Sequence, residues 1–217
     1  MSKSSMFVSV VCTLLLLSVT IGCASSPVEQ HTDAASPSGK SAGKPMQNAS
    51  NTQQTRQSKE EQVLSFYKDS SLSDEEKVRC ITDHLAGIQW ETFNKVSGKQ
   101  SLEVIEYLYR QRAYIPSESF PNVIQASGGL DGASSESYAA IMGELFTRDK
   151  TAMTRALANT TDKSYREQGI GSIAYSLSYR ETKVVKKEIR QWQAGQKLTT
   201  TEKEIIRALL VKLDNPY

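Results

Sequence analysis

Hydrophobic positions change character twice along the chain. An apolar run extends from Met6 to Leu17, residues 24–57 then carry only Val28 and Met46 as larger apolar side chains, and from Ser58 onward apolar residues recur at steps of three and four. Such steps place one stripe along a helix, so the sequence predicts a helical domain over residues 58–217. Ser58-Lys59-Glu60-Glu61, Ser73-Asp74-Glu75-Glu76 and Thr199-Thr200-Thr201-Glu202 have the capping-box spacing that opens a helix. The first box leads to Val63, Leu64 and Tyr67, and the second to Val78, Ile81, Leu85 and Ile88, with Gly87 as a stop. A short segment around Trp90 and Phe93 runs to Gly98, and Ser101 introduces Leu102, Ile105, Leu108, Tyr109 and Arg112 before Pro116. Pro121 suits the first turn of a short helix with Val123 and Ile124. Tyr138, Ile141, Met142, Leu145 and Phe146 form the most regular stripe, followed by Met153, Ala156 and Leu157 behind Asp149. Two helices close the chain, one on Val184, Val185, Ile189 and Trp192, the other on Ile205, Ile206, Leu209, Leu210 and Leu213.

No segment sustains the alternation of a strand, and the expected fold class is all-α. Helix starts recur at short, fairly even intervals, which admits two arrangements. One is a stack of antiparallel hairpins that resembles HEAT-like and tetratricopeptide solenoids in architecture, without their signature residues. The other is an irregular multi-helix bundle. Residues 164–179 stand out, because a second stripe of Gln168, Ser172, Tyr175 and Tyr179 lies beside Tyr165, Ile173 and Leu177, with Gly169 and Gly171 between. Each glycine costs a helix interior about 1 kcal/mol relative to alanine. The segment is therefore either a central helix that neighbours approach closely, or a helix broken at Gly169-Ile170-Gly171.

The N-terminus orders Lys3, an apolar run and small residues as a secretory signal does. Met6 to Ile21, interrupted by Ser9, Thr13, Ser18 and Thr20, is short for a bilayer span. The Leu14–Leu17 run with Gly22 directly before Cys23 resembles the signal peptides of bacterial lipoproteins, although Thr20 stands where that family prefers Leu, Val or Ile. The resemblance implies a signal peptide over 1–22, lipidation of Cys23 and a lipid-anchored protein on the extracytoplasmic face of a bacterial membrane. Ala24, rather than Asp, after the cysteine implies the outer membrane in a double-membraned cell. Each buried acyl CH₂ contributes about 0.8 kcal/mol, so two or three chains anchor stably. A general secretory signal cut near Gly22 to Ser25 is the alternative. Residues 23–57, rich in Ser, Ala, Thr, Gln, Gly and Pro, are expected to form a disordered linker. As a flexible coil it would span about 30 to 35 Å.

Composition narrows the function. A formal charge of +2 over 217 residues is far from the basicity of nucleic-acid binders. Of three cysteines, Cys12 falls in the signal, Cys23 is the lipidation candidate and Cys80 is expected to be buried in the domain. Cys80 and His84 lie four apart with Asp83 adjacent, a spacing that could bring a thiol to an imidazole. However, Asp83 points about 100° away from His84 on a helix, and two ligands do not make a metal site. Glu118-Ser119-Phe120 with Ser127-Gly128-Gly129-Leu130 resembles a fragment of the lytic transglycosylases, with the phenylalanine displaced, Pro121 intruding and the Gly-Leu-Met-Gln stretch missing. No phosphate loop, nucleophile elbow or metal-site histidine pair is present, and no cofactor is implied.

Charge is unevenly spread: residues 59–83 hold four basic and seven acidic side chains, and residues 180–214 nine and five. Lys183, Lys186, Lys187 and Arg190 gather on the penultimate helix, a face suited to an anionic envelope polymer or lipid headgroups, or else simply a solvated one. Tyr175 and Tyr179, with Tyr138, suggest a tyrosine-lined cavity. The expected function is a non-catalytic binding or scaffold module of the cell envelope, meeting a membrane through Cys23 and a protein or anionic polymer through these residues. A small-molecule or peptide carrier is the second expectation, and a cell-wall hydrolase the third.

Overall fold

A computed structural model describes residues 57–217, so the expectations for the signal peptide, for Cys23 and for the linker as far as residue 56 lie outside the described residues. Helix caps set the punctuation. Ser58, Ser73 and Thr199 each accept from the backbone N–H three residues on, while Glu61, Glu76 and Glu202 reach back to the cap N–H. Asp149 and Asp162 cap two further helices through their carboxylates. These side chains satisfy donors that would otherwise lack partners at a helix start.

Among the described residues the chain forms ten α-helices and no strand. They are α1 Lys59–Lys68, α2 Asp74–His84, α3 Trp90–Ser97, α4 Ser101–Arg110, α5 Phe120–Gln125, α6 Gly132–Arg148, α7 Lys150–Asn159, α8 Lys163–Leu177, α9 Thr182–Ala194 and α10 Thr200–Lys212. Two 3-10 turns, Arg112–Tyr114 and Ser117–Ser119, lead from α4 to α5. Gly98 closes α3 in the left-handed region at φ 71°, a conformation that a Cβ would strain. Two stripes end earlier than their spacing predicts. α2 stops at His84, and Leu85 and Ile88 enter the core from the turn behind it. α4 stops at Arg110, buries Val104, Ile105, Tyr107 and Leu108, and leaves Arg112 in the 3-10 turn.

α6 and α8 form the central pair. α4 covers one side of α6, α7 packs on α6, and α10 returns to lie on α7 and α8. This is an irregular multi-helix bundle, because α5 also reaches α2, α7 and α8 rather than its sequence neighbours alone. α8 runs unbroken through Gly169 and Gly171. The reason is closeness of approach: a Cβ on Gly169 would stand 2.9 Å from Leu157 Cδ2, and one on Gly143 of α6 would stand 2.1 Å from Ser176 Oγ on α8. Tyr138, Ile141, Met142, Leu145 and Phe146 are all buried, as their spacing predicts. Thr154 Oγ1 has no hydrogen-bond partner among the described residues of this core, whereas two larger side chains find one. Tyr138 Oη donates to the Val123 carbonyl and Trp90 Nε1 to the Ala126 carbonyl, both at 2.7 Å, which ties α6 and α3 to the end of α5.

Candidate binding surface

Two of the residues that the sequence offered for catalysis, His84 and Asp83, have other partners. His84 Nδ1 lies 2.7 Å from the Cys80 carbonyl, an interaction in which the ring nitrogen donates, so the imidazole addresses backbone rather than the thiol. Cys80 is half-buried, a correction to the buried position expected of it, because it sits at the edge of the Val78–Ile81 stripe. Asp83 is exposed and accepts from Ser119 Oγ at 3.2 Å, so it orients the turn before α5 rather than His84. Glu118 is exposed on that turn, outside any of the surface depressions described below. Among the described residues no group of three or more His, Cys, Asp or Glu is placed to hold a metal ion. No described helix is long and apolar enough to cross a membrane.

The basic face of α9 is smaller than its sequence suggests. Lys186 is turned under the helix and forms an ion pair with Asp214, which follows α10. Arg180, just before α9, grips both carboxylate oxygens of Glu188 at 2.7 and 2.8 Å. Lys183, Lys187 and Arg190 stay exposed on one side, next to the exposed Val184.

A more structured surface lies along α6. Two depressions, of about 380 and 300 Å³, lie along its exposed side: the larger between α6 and the end of α4 with the turn behind it, the smaller between α4, α6 and α8. Tyr109, Tyr175 and Tyr179 line the smaller with Glu136, Ser137 and Ser176. Tyr175 and Tyr179 share a hydroxyl contact of 2.9 Å, and their rings meet edge to face at 5.6 Å. The Tyr217 ring also meets Tyr175 nearly at right angles, with centroids 5.7 Å apart. The contact with Tyr179 is the main cause raising the Tyr175 phenol's pKa, ahead of desolvation and the nearby Glu136 carboxylate. Tyr138 does not belong to this surface: it is 1% exposed inside the core, on the opposite side of α6. The tyrosine-lined cavity expected from Tyr138, Tyr175 and Tyr179 therefore reduces to an open groove of Tyr109, Tyr175 and Tyr179.

The larger depression is basic. Arg110, Arg112 and Arg148 line it against the single carboxylate of Glu144. Arg148 donates to the carbonyls of Arg112, Ala113 and Ile115, which fixes its guanidinium at the helix ends and holds its pKa below the usual arginine range through desolvation. Arg112 lies 4.5 Å from the centroid of the Tyr109 ring and 3.4 Å from Glu144, so it stands at the junction of the two depressions. Arg110 reaches Glu106 at 3.9 Å and its side chain is 61% exposed. A separate depression of about 560 Å³ between α8 and α10 is lined by Ile170, Ala208 and the exposed Val211, with two acids and two bases.

Tyr175 and Tyr179 were legible from the sequence as surface candidates; Tyr109, Arg110, Arg112, Glu136, Glu144 and Arg148 were not. The last three, with Ala140, fall at steps of four along α6, opposite its apolar stripe, a polar line that the regularity of the core face conceals. Comparison with family models, with curated proteins and with solved structures gives no match.

Proposed function

We propose that this chain is a lipid-anchored module of a bacterial cell envelope, held by acylated Cys23 at the end of a flexible tether, whose helical domain binds another envelope component without transforming it. The groove along α6 carries this reading. Its lining combines the exposed ring of Tyr179 and the half-buried rings of Tyr109 and Tyr175 with guanidinium groups, the residue types that dominate binding surfaces. Its acids are already engaged: Glu144 with Arg112, and Glu136 beside the Tyr175 hydroxyl. The exposed Lys183, Lys187 and Arg190 of α9 are a second contact surface, each cation adding about 1 kcal/mol near anionic headgroups. With the domain tethered to the same membrane, such weak contacts act at high effective concentration.

A photoreactive residue placed in cells at Tyr179, which is 75% exposed, tests the groove against a control at Lys95, on the exposed side of α3. A discrete crosslinked species in the envelope fraction from position 179 and none from position 95 is the expected result. Equal labelling from both positions, or none from 179, contradicts a binding role for this face.

A further inference from the structure

We propose that the α6 groove binds a strand of acidic polysaccharide, with sugar rings against the tyrosines and the acid groups at the arginines. This rests on the binding-module reading and names its ligand class.

The tyrosine half has the chemistry of a surface that meets hydroxyls and flat apolar faces together. Tyr109, Ser137, Tyr175, Ser176 and Tyr179 all bring hydroxyls, Glu136 brings an acceptor, and Ala140 is the aliphatic member of the lining. A protein anchor residue needs an apolar well that closes around it; this half is a shelf of rings with polar tips. A sugar ring matches it, presenting C–H groups to the ring faces and hydroxyls to the rim.

The second half decides the charge of the ligand. Arg110 and Arg112 are held by Glu106 and Glu144 only at 3.9 and 3.4 Å, so their donors can turn to a ligand acid that approaches more closely, which a neutral sugar cannot offer. Planar guanidinium forks suit carboxylate or phosphate oxygens, and Arg110, loosely held by Glu106, has donors to offer. Arg148 is pinned by three carbonyls and so presents its charge without rearrangement. Glu136 to Arg148 covers thirteen residues of one helix, about 18 Å of rise, and the two halves lie in line along it. A compact monosaccharide would occupy one half; a strand occupies both.

The test uses the mature chain carrying Cys23→Ala, titrated calorimetrically with mannopentaose, phosphorylated mannopentaose, a galacturonate hexamer and poly-glutamate. The proposal expects at least one acidic sugar to bind about tenfold more tightly than mannopentaose, with poly-glutamate failing to compete. Whether the phosphate or the carboxylate sugar wins identifies the acid group. Tyr175→Ala with Tyr179→Ala should weaken neutral and acidic sugars alike. Arg110→Gln, which disturbs only the contact with Glu106, should erase most of the acidic preference and its salt dependence. Failure of both acidic sugars to bind, binding of poly-glutamate as tight as that of the sugars, or affinities unchanged in both sets of variants overturns the proposal. If position 179 still captures an envelope species while no acidic sugar binds, the ligand class is wrong and the binding-module reading stands.

Discussion

Two glycines of the central helices respond in opposite ways to an added Cβ, because only one of them lies hard against the partner helix. On Gly143 a Cβ would fall 2.1 Å from Ser176 Oγ and 2.5 Å from Ser176 Cβ, closer than any side chain tolerates, so Gly143→Ala must push α6 and α8 apart. Overpacking of that kind costs about 1–3 kcal/mol. On Gly171 a Cβ would meet only Lys212 Cε at 4.0 Å, so Gly171→Ala gains helix propensity without a clash and should stabilise by about 0.5–1 kcal/mol. Urea denaturation of both variants checks the contrast. A neutral Gly143→Ala would mean that the α6–α8 contact is not as described, and a destabilising Gly171→Ala that the space between α8 and Lys212 of α10 is not. The sequence showed that residues 164–179 held something unusual, because two glycines sat inside a doubly striped segment. It did not show that only Gly169 faces neighbours, since which side a glycine turns to a partner depends on the partner's position and leaves no mark in the pattern of a residue with no side chain.

At the scale of elements, boundaries were legible where a side chain marks them. The three capping boxes, the Asp149 cap, Pro121 and Gly98 all fall where their chemistry predicts. Two ends were misplaced, those of α2 and α4, because Leu85, Ile88 and Arg112 keep helical spacing while the backbone has already turned. For Leu85 and Ile88 burial sustains that spacing, and periodicity cannot separate a buried turn residue from a buried helical one. The α10 box also carries a pH dependence. Glu202, whose side chain is 7% exposed, accepts from the Thr199 N–H at 2.7 Å and lies 3.6 Å from Arg155. The backbone N–H of Thr199 is the main influence holding its carboxyl below the usual range, with the Thr199 hydroxyl and Arg155 assisting against desolvation. A depressed folded-state pKa stabilises the fold above the unfolded value, near 4.3 for glutamate, and that stabilisation is lost as pH falls through the folded value. Unfolding free energies measured from about pH 6 down to about pH 3 should therefore decline more steeply for the wild type than for Glu202→Gln, which keeps an acceptor but does not titrate. Parallel declines would remove Glu202 from the acid response.

Across the whole molecule, the surface is where sequence reading fell shortest. Lys186 belongs by spacing with Lys183, Lys187 and Arg190, yet it pairs with Asp214 across the gap to the end of α10, a partner 28 residues away. The α6 groove gathers Tyr109 from α4, Arg112 from the turn behind it, Glu136 and Glu144 from α6, Tyr175 from α8 and Tyr179 from just past its end, residues that only the packing of three helices brings into line. What organises the function proposed here is nonetheless a single residue, Cys23, which would place that groove within reach of an envelope surface and keep it there. The most direct measurement is the intact mass of the mature protein together with its membrane fractionation, beside Cys23→Ala. An N-terminus at residue 23 carrying acyl mass, released from membranes only by detergent, with the variant soluble or unprocessed, is the result the account predicts. A soluble wild-type protein without acyl mass would contradict it.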